Sequence, residues 1–415
     1  MIPKTSLALS ILLPLVVTIL SGCNTPTRNP VPREHLDRAD PRGMEGWRFT
    51  GESDAGLSAE VMGDRIAALR AQMASSGLDR RKINVLAISG GGDNGAYGAG
   101  LLQGWSELGT RPEFNVVTGI STGALSAPFA FLGPEYDDRL ATCFTTLSTD
   151  DLIEERGLIE GLTGDALSDP VGLRTLVERQ LDPETFQRIG EEHRRGRRLY
   201  IGTTNLDRME PTYWCISAIA AEDIPGGRTL ACDIILASAS IPGVFPPVLI
   251  DVVGPEGETY DEMHVDGGVS TQVFTFPVSL KLRGSHVLED SQVQAPAVWV
   301  IRNAPMVLHY DQVHRSLMAI AGRAISGLIR SNGIGDLYRI WLTTRRDGLD
   351  FNLASIPFDF DLVATEPFDP VYMKALFQRG REDILEGRAW SQYPPELGPA
   401  DEEALRIEFT ENRRE

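Results

Sequence analysis

The chain has 415 residues, is 42% apolar, and carries a net charge of −19 with a pI near 4.8. That length and apolar content allow one large or two ordinary domains with a true core. Acidity on this scale argues against nucleic-acid partners and against electrostatic docking on anionic lipid, and reads first as a solubility feature.

Residues 1–22 carry one charge, Lys4, followed by an apolar run from Leu7 to Leu20. The run is short for a membrane span, and the small residues Ser21 and Gly22 before Cys23 suit a processing enzyme. Leu20-Ser21-Gly22-Cys23 resembles the lipobox of bacterial lipoprotein signal peptides. The resemblance implies cleavage before Cys23, a lipidated Cys23 as mature N-terminus, and a stable anchor of several acyl chains. Asn24, rather than Asp, then points to the periplasmic face of the outer membrane. Residues 23–46 are rich in Pro, Arg and Asp without apolar periodicity, which predicts an extended tether of ~3 Å per residue. Within 47–79, Met62, Ile66, Leu69 and Met73 recur at helical spacing after Ser58, a suitable N-cap, which predicts a packing helix.

Ile83–Ile88 is a compact apolar run suited to a strand buried on both faces. It breaks into Ser89-Gly90-Gly91-Gly92-Asp93-Asn94-Gly95, and a helix is expected over Ala96–Leu108. Gly90, Gly92 and Gly95 satisfy a dinucleotide fingerprint, but the next strand does not end in the acidic residue that a ribose needs. The same glycines leave backbone N–H groups uncrowded at a strand end, where they can stabilise an oxyanion. The next apolar run ends in Gly119-Ile120-Ser121-Thr122-Gly123, a G-x-S-x-G turn that projects a serine at a helix start. With 41 glycines in the chain this motif is weak alone and needs a base.

Of the histidines after Ser121, His193, His286, His309 and His314 stand in no glycine-marked loop after a strand and read as surface or packing residues. Met263-His264-Val265-Asp266-Gly267-Gly268 is a short strand ending in an uncrowded aspartate, with His264 a lesser alternative base. Cys215 and Cys232 flank the turn Pro225–Gly227, which leaves a local disulfide and two free thiols both open. Cys143 reads as a buried small hydrophobe, and no paired metal-ligand spacing is visible, so no metal or cofactor is expected.

Ser89-Gly90-Gly91-Gly92-x-x-Gly95, Gly119-Ile120-Ser121-Thr122-Gly123 and Asp266-Gly267-Gly268, in that order, resemble the patatin-like phospholipases. Ala237–Pro247 and Thr203–Asp207 look like two further blocks of that family, and the likeness covers residues 80–310 most strongly. It implies a three-layer α/β/α domain with a mostly parallel central sheet, set here at residues 80–395 with a charged, frayed end from about Trp390 and a tail at 396–415. It also implies a Ser–Asp dyad, with Ser121 as nucleophile, Asp266 as base and the Gly90–Gly92 loop as oxyanion hole. The family usually has Arg or Lys where this chain has Asn94, which bears on phospholipid preference more than on ester hydrolysis.

Peripheral helices are expected over Glu135–Arg198, a central strand over Ala297–Ile301 and an amphipathic helix over Val313–Ile329. The basic run His193–Arg198 reads as a solvated approach to a strand or as a contact for lipid head groups. Phe129, Phe131, Val244 and Phe245 are candidates for an acyl cleft as well as for plain core. The leading expectation is a membrane-anchored lipid acyl hydrolase. The alternatives are a soluble-ester or thioester hydrolase on the same dyad, and a surface lipoprotein that binds lipid or a partner without turnover.

Overall fold

The computed structural model describes residues 28–44, 46–51, 83–146, 148–152, 154–155, 166, 168–275, 296–306 and 312–403. The signal segment 1–22, Cys23, Asn24, the predicted helix over 58–74, His286, His309 and the end of the tail lie outside them.

The described strands are β1 (Arg48–Thr50), β2 (Asn84–Ile88), β3 (Val116–Ile120), β4 (Glu154–Glu155), β5 (Ser168–Asp169), β6 (Arg198–Asn205), β7 (Glu210–Cys215), β8 (Val248–Val253), β9 (Thr259–Asp266), β10 (Ala297–Pro305) and β11 (Asp350–Ile356). The helices are α1 (Gly95–Glu107), α2 (Thr122–Leu132), α3 (Asp137–Thr145), α4 (Thr149–Leu152), α5 (Val171–Gln180), α6 (Pro183–Arg194), α7 (Ile216–Ala221), α8 (Gly227–Ser238), α9 (Leu317–Asp347) and α10 (Pro370–Leu385). Nine strands form one sheet in the order β1-β7-β6-β3-β2-β10-β11, with β9 joined to β6 and β8 to β9. The run β6-β3-β2-β10-β11 is parallel, and β1, β7, β8 and β9 add antiparallel pairs on its β6 side.

Alternation along the parallel strands explains the layers. Leu86 and Ile88 of β2 and Ile301 of β10 enter one apolar cluster with Leu101 of α1, Phe129 of α2 and Phe377 of α10. Val85, Ala87, Val298 and Val300 enter a second cluster with Leu337 and Trp341 of α9. Both faces are covered, so β2 and β10 read as continuous apolar runs. α10 lies hard against α1, because a Cβ at Gly100 would collide with the Phe377 carbonyl and one at Gly380 with the Tyr97 carbonyl. The glycine loop that opens α1 is therefore seated on a C-terminal helix.

Three expectations need correction, and the open question of Cys215 and Cys232 is decided. Residues 28–44 and 46 are packed rather than an extended tether. Arg28 ion-pairs with Asp207 and Asp261, both at 2.7 Å, and Val31, Ala39 and Met44 are buried. Arg48 then binds Glu262 at 2.5 Å inside the fold. The proline-rich composition hid this because the partners are remote acids on β9 and after β6. The chain after Trp390 does not fray there: the Trp390 ring centre lies 4.9 Å from those of Trp105 and Trp299, and Ser391 exchanges backbone hydrogen bonds with Leu353. Cys215 and Cys232 are free thiols. Cys215 ends β7 while Cys232 sits inside α8, and α7 separates them, so the turn between them brings no pairing geometry. The predicted helix over Val313–Ile329 begins later, at Leu317 with Ser316 as N-cap, and continues to Asp347.

The basic run His193–Arg198 is an internal brace. Arg197 is buried, donates to the Phe114 and Phe131 carbonyls, and pairs with Glu192 at 2.9 Å. His193 is buried against Ser217 and Trp47. Contact with head groups is thereby excluded for its most enclosed members.

The buried Arg48–Glu262 pair yields a prediction. Replacing Arg48 with Met strands a carboxylate that is 1% exposed, so the folded state should lose ~3–5 kcal/mol, read as a lower midpoint in urea unfolding.

Candidate active site

β2 and β3 are adjacent parallel strands, so the turns that follow them lie at one end of the sheet. Ser121 stands between β3 and α2 with φ 56° and ψ −125°, a left-handed conformation that costs energy for a residue with a Cβ. Close packing enforces it. A Cβ at Gly123 would strike the Ile88 carbonyl, so the first turn of α2 rests directly on the end of β2. The Ser121 N–H is held by Ser238 Oγ at 3.0 Å, and that hydroxyl donates to the Gly202 carbonyl at 2.6 Å.

β9 delivers the carboxylate. It pairs with β6, which neighbours β3, and ends at Asp266. Ser121 Oγ donates to Asp266 Oδ2 at 2.6 Å, and the Gly268 N–H donates to Oδ1 at 2.7 Å. Asp266 is 5% exposed. Burial pushes its carboxyl up to about 6, against the opposing hydrogen bonds from Ser121 and Gly268. A carboxylate tuned this way is still mostly ionised at neutral pH, yet is a stronger proton acceptor than a solvated one.

The glycine loop divides. The Gly90 N–H is engaged by the Gln272 carbonyl at 3.2 Å, so Gly90 supplies position rather than a free donor, which corrects its assignment to the oxyanion hole. The Gly91 and Gly92 N–H groups meet no acceptor among the described residues. Gly91 cannot be replaced without movement, since a Cβ there would overlap the Asn303 carbonyl.

Three residues of this scaffold escaped the sequence reading. Asn303 ties the loop down: its N–H donates to Ser89 Oγ at 2.9 Å, its Nδ2 to the Ser89 carbonyl at 3.0 Å, and its Oδ1 accepts the Gly98 N–H at 3.1 Å. Gln272 joins the two loops, donating from Nε2 to the Gly268 carbonyl at 2.9 Å while its own carbonyl takes Gly90. Ser238 lies in the Ala237–Pro247 block, which also meets β9 through the Asp266 N–H and the Ser240 carbonyl at 2.9 Å. Asn303, just past the apolar run Ala297–Ile301, and Ser238, inside the Ala237–Pro247 block, carried usable signals; Gln272 carried none.

His264, the lesser candidate base, faces elsewhere. It is fully buried, with Nδ1 2.9 Å from Thr203 Oγ1 and Nε2 3.2 Å from Glu262, against the Trp214 ring. Asn94 accepts from the Tyr372 hydroxyl at 2.5 Å, tying the glycine loop to α10. A narrow apolar cleft of about 40 Å³ opens beside Ser121 and Gly92, lined by Leu125, Phe144, Leu176, Phe245, Phe368 and Met373. Of the expected acyl-cleft residues only Phe245 lines it; Phe129 and Phe131 are sealed in the core, and Val244 packs at its edge.

Residues 86–278 match the family model described as patatin-like phospholipase. The match spans a little under half of the chain. The three-layer α/β/α expectation, with a mostly parallel central sheet, holds. Solved structures similar to the chain include VipD from Legionella pneumophila, at 11% identity over 76% of this chain and 68% of that one, TM-score 0.38. The type III effector ExoU of Pseudomonas aeruginosa is 13% identical over 76% of this chain and 55% of that one, TM-score 0.29. Human GIVD cytosolic phospholipase A2 is 11% identical over 78% and 53%, TM-score 0.26. The chain thus spans only 53% of the human enzyme's length and 55% of ExoU's. No curated protein matches it.

Two outcomes follow from Asp266. Its folded pKa of about 6 lies above the ordinary 3.8, so its contribution to stability is full below pH ~4, falls through pH ~6 and stays lost above that. Asp266→Asn should therefore be more stable than the parent at pH 8 by about 1–3 kcal/mol, a gap that closes below pH ~4 in paired denaturant titrations. In the parent, kcat/KM should rise with pH through about 6, and the variant should be slower by ~10²–10⁴ with that limb missing.

Proposed function

We propose that the protein is a membrane-anchored serine acyl hydrolase that cleaves carboxylic esters of lipids through an acyl-enzyme. The observation that carries this reading is the 2.6 Å hydrogen bond from Ser121, held at positive φ, to the buried carboxylate of Asp266.

In this mechanism the Ser121 hydroxyl attacks the ester carbonyl while Asp266 accepts its proton. The carbonyl oxygen becomes negative and is met by the Gly91 and Gly92 N–H groups. As the tetrahedral centre collapses, Asp266 returns the proton to the departing alkoxide, leaving an alcohol and an ester on Ser121. Water then loses a proton to Asp266, adds to that ester and releases the acid, and the proton returns to Ser121 Oγ. The apolar cleft beside Gly92 suits an acyl chain, whose CH₂ groups each contribute about 0.8 kcal/mol when fully buried. Its narrowness favours a second arm of the reading, in which short-chain or simple esters are cleaved as readily as long-chain lipids.

Anchoring, and with it a site in a bacterial envelope at the periplasmic face of the outer membrane, is supported by the lipobox resemblance at Cys23. Among the described residues no helix is long and apolar enough to cross a membrane.

A fluorophosphonate probe should label the parent and fail on Ser121→Ala, with Asp266→Asn labelling at least about tenfold more slowly. Absence of labelling in the parent, together with no acid released from short- or long-chain esters, would refute the hydrolase mechanism. Loss of metabolic palmitate incorporation on Cys23→Ala tests the anchor separately.

A further inference from the structure

Arg302 lies on β10 one residue before Asn303, and is 3% exposed. Its Nε and Nη1 are buried and meet no hydrogen-bond acceptor among the described residues. A buried guanidinium without acceptors is costly, and its surroundings add to that cost. Burial lowers its pKa to about 10, the charge of Arg330 acts in the same direction, and Asp336 is the acidic group that opposes them. Asp336 is engaged elsewhere: Oδ2 accepts the Gln272 and Val273 N–H groups at 2.7 and 3.3 Å, and Oδ1 accepts from Arg339 at 3.2 Å. Arg330 donates from Nη2 to the Met306 carbonyl at 2.8 Å and also has a buried Nε without an acceptor. Two adjacent cations with unused donors make a site suited to an anion that can accept several hydrogen bonds.

This cationic site is one side chain from the nucleophile. A Cβ built at Gly333 of α9 would lie 3.2 Å from Arg302 Nη1 and 3.3 Å from Gln272 Cβ. One built at Gly90 would lie 3.1 Å from Gln272 Oε1 and 3.0 Å from Ser121 Cβ. Gln272 alone thus bridges the two places. The acyl cleft belongs to the face of the sheet that carries Phe144 and Phe245, whereas Arg302 shares the opposite face with Val298 and Val300. A glycerophospholipid with its ester at Ser121 carries its phosphate only a few bonds from the ester carbon, on the side away from the acyl chain.

The surface above the site has matching chemistry. Residues 313–335 contain Arg315, Arg323 and Arg330 and no Asp or Glu, in a chain whose net charge is −19. On the same stretch Ile320, Ile325 and Leu328 are 52%, 45% and 66% exposed. Basic and apolar residues without acids describe a helix segment suited to a lipid interface.

We propose that Arg302 and Arg330 bind the phosphate of a lipid head group, with the exposed first half of α9 lying against the lipid surface that supplies it. The assignment names a head-group contact for the serine hydrolase read above and rests on that reading for the role of Ser121.

The test is read as binding to Ser121→Ala protein, so that it does not depend on turnover. The protein is titrated with dihexanoyl phosphatidylglycerol, with dihexanoylglycerol and with inorganic phosphate. Phosphatidylglycerol should bind at least about tenfold more tightly than the uncharged diacylglycerol, with phosphate a weak competitor. Arg302→Met combined with Arg330→Met should abolish that preference while leaving the diacylglycerol Kd within about twofold. If Arg302→Met impairs folding, Arg330→Met alone should still reduce the preference several-fold. A preference unchanged by these substitutions, or an equal loss for both lipids, overturns the proposal. Phosphate that binds as tightly as phosphatidylglycerol identifies a free-anion site and overturns the lipid source. Failure of fluorophosphonate labelling would remove the hydrolase reading without altering these binding results.

Discussion

The contact on which the site depends is the hydrogen bond between Ser121 and Asp266, made where water is largely excluded. Its two partners are 145 residues apart and stand at the ends of strands that share no hydrogen-bond ladder. β3 and β9 follow one another along one edge of β6, β3 pairing parallel with Arg198–Gly202 and β9 antiparallel with Thr203–Asn205 while β7 takes the other edge, so β6 sets the spacing of nucleophile and base. Any slip of β9 by one residue would turn Asp266 to the other face of the sheet. The antiparallel addition on the β6 side of the parallel sheet is therefore what completes the dyad.

Stability and activity pull in different directions at this point. Ser121 is held in a strained conformation, and Asp266 is buried with a raised proton affinity. Neither arrangement would persist on its own, and each is imposed by backbone packing. The end of β2 lies under Gly123, the Asn303 carbonyl lies over Gly91, and Ser238 holds the elbow N–H. Rigid neighbours of this kind keep donors aimed before any charge develops, which is the condition for electrostatic stabilisation without reorganisation.

The support reaches well outside the matched residues 86–278. Asn303 belongs to β10, Tyr372 to α10, and Arg48 to a segment that precedes the match. Arg48 and Glu262 form a buried ion pair on the same strand that ends in Asp266, and Glu262 in turn contacts His264. The histidine that stood as a candidate base is thus a structural member of a charged ladder below the site.

The sequence by itself determined the backbone shapes. Glycines around Ser121, the triple glycine after an apolar strand, and Asp-Gly-Gly each encode a turn within a few residues, so the elbow, the loop and the aspartate were legible, as were β2, α1 and the central strand over Ala297–Ile301. Only the tertiary structure decided which groups meet. Gly90 lost its donor to Gln272, Cys215 and Cys232 were kept apart by α7, the proline-rich stretch from Arg28 became a packed wrap around β9, and Arg302 was left buried without a partner. The physical reason is range. A turn is set by the steric freedom of its own residues, whereas a hydrogen-bond partner, a buried charge or an ion pair is set by side chains hundreds of residues away that local pattern does not encode.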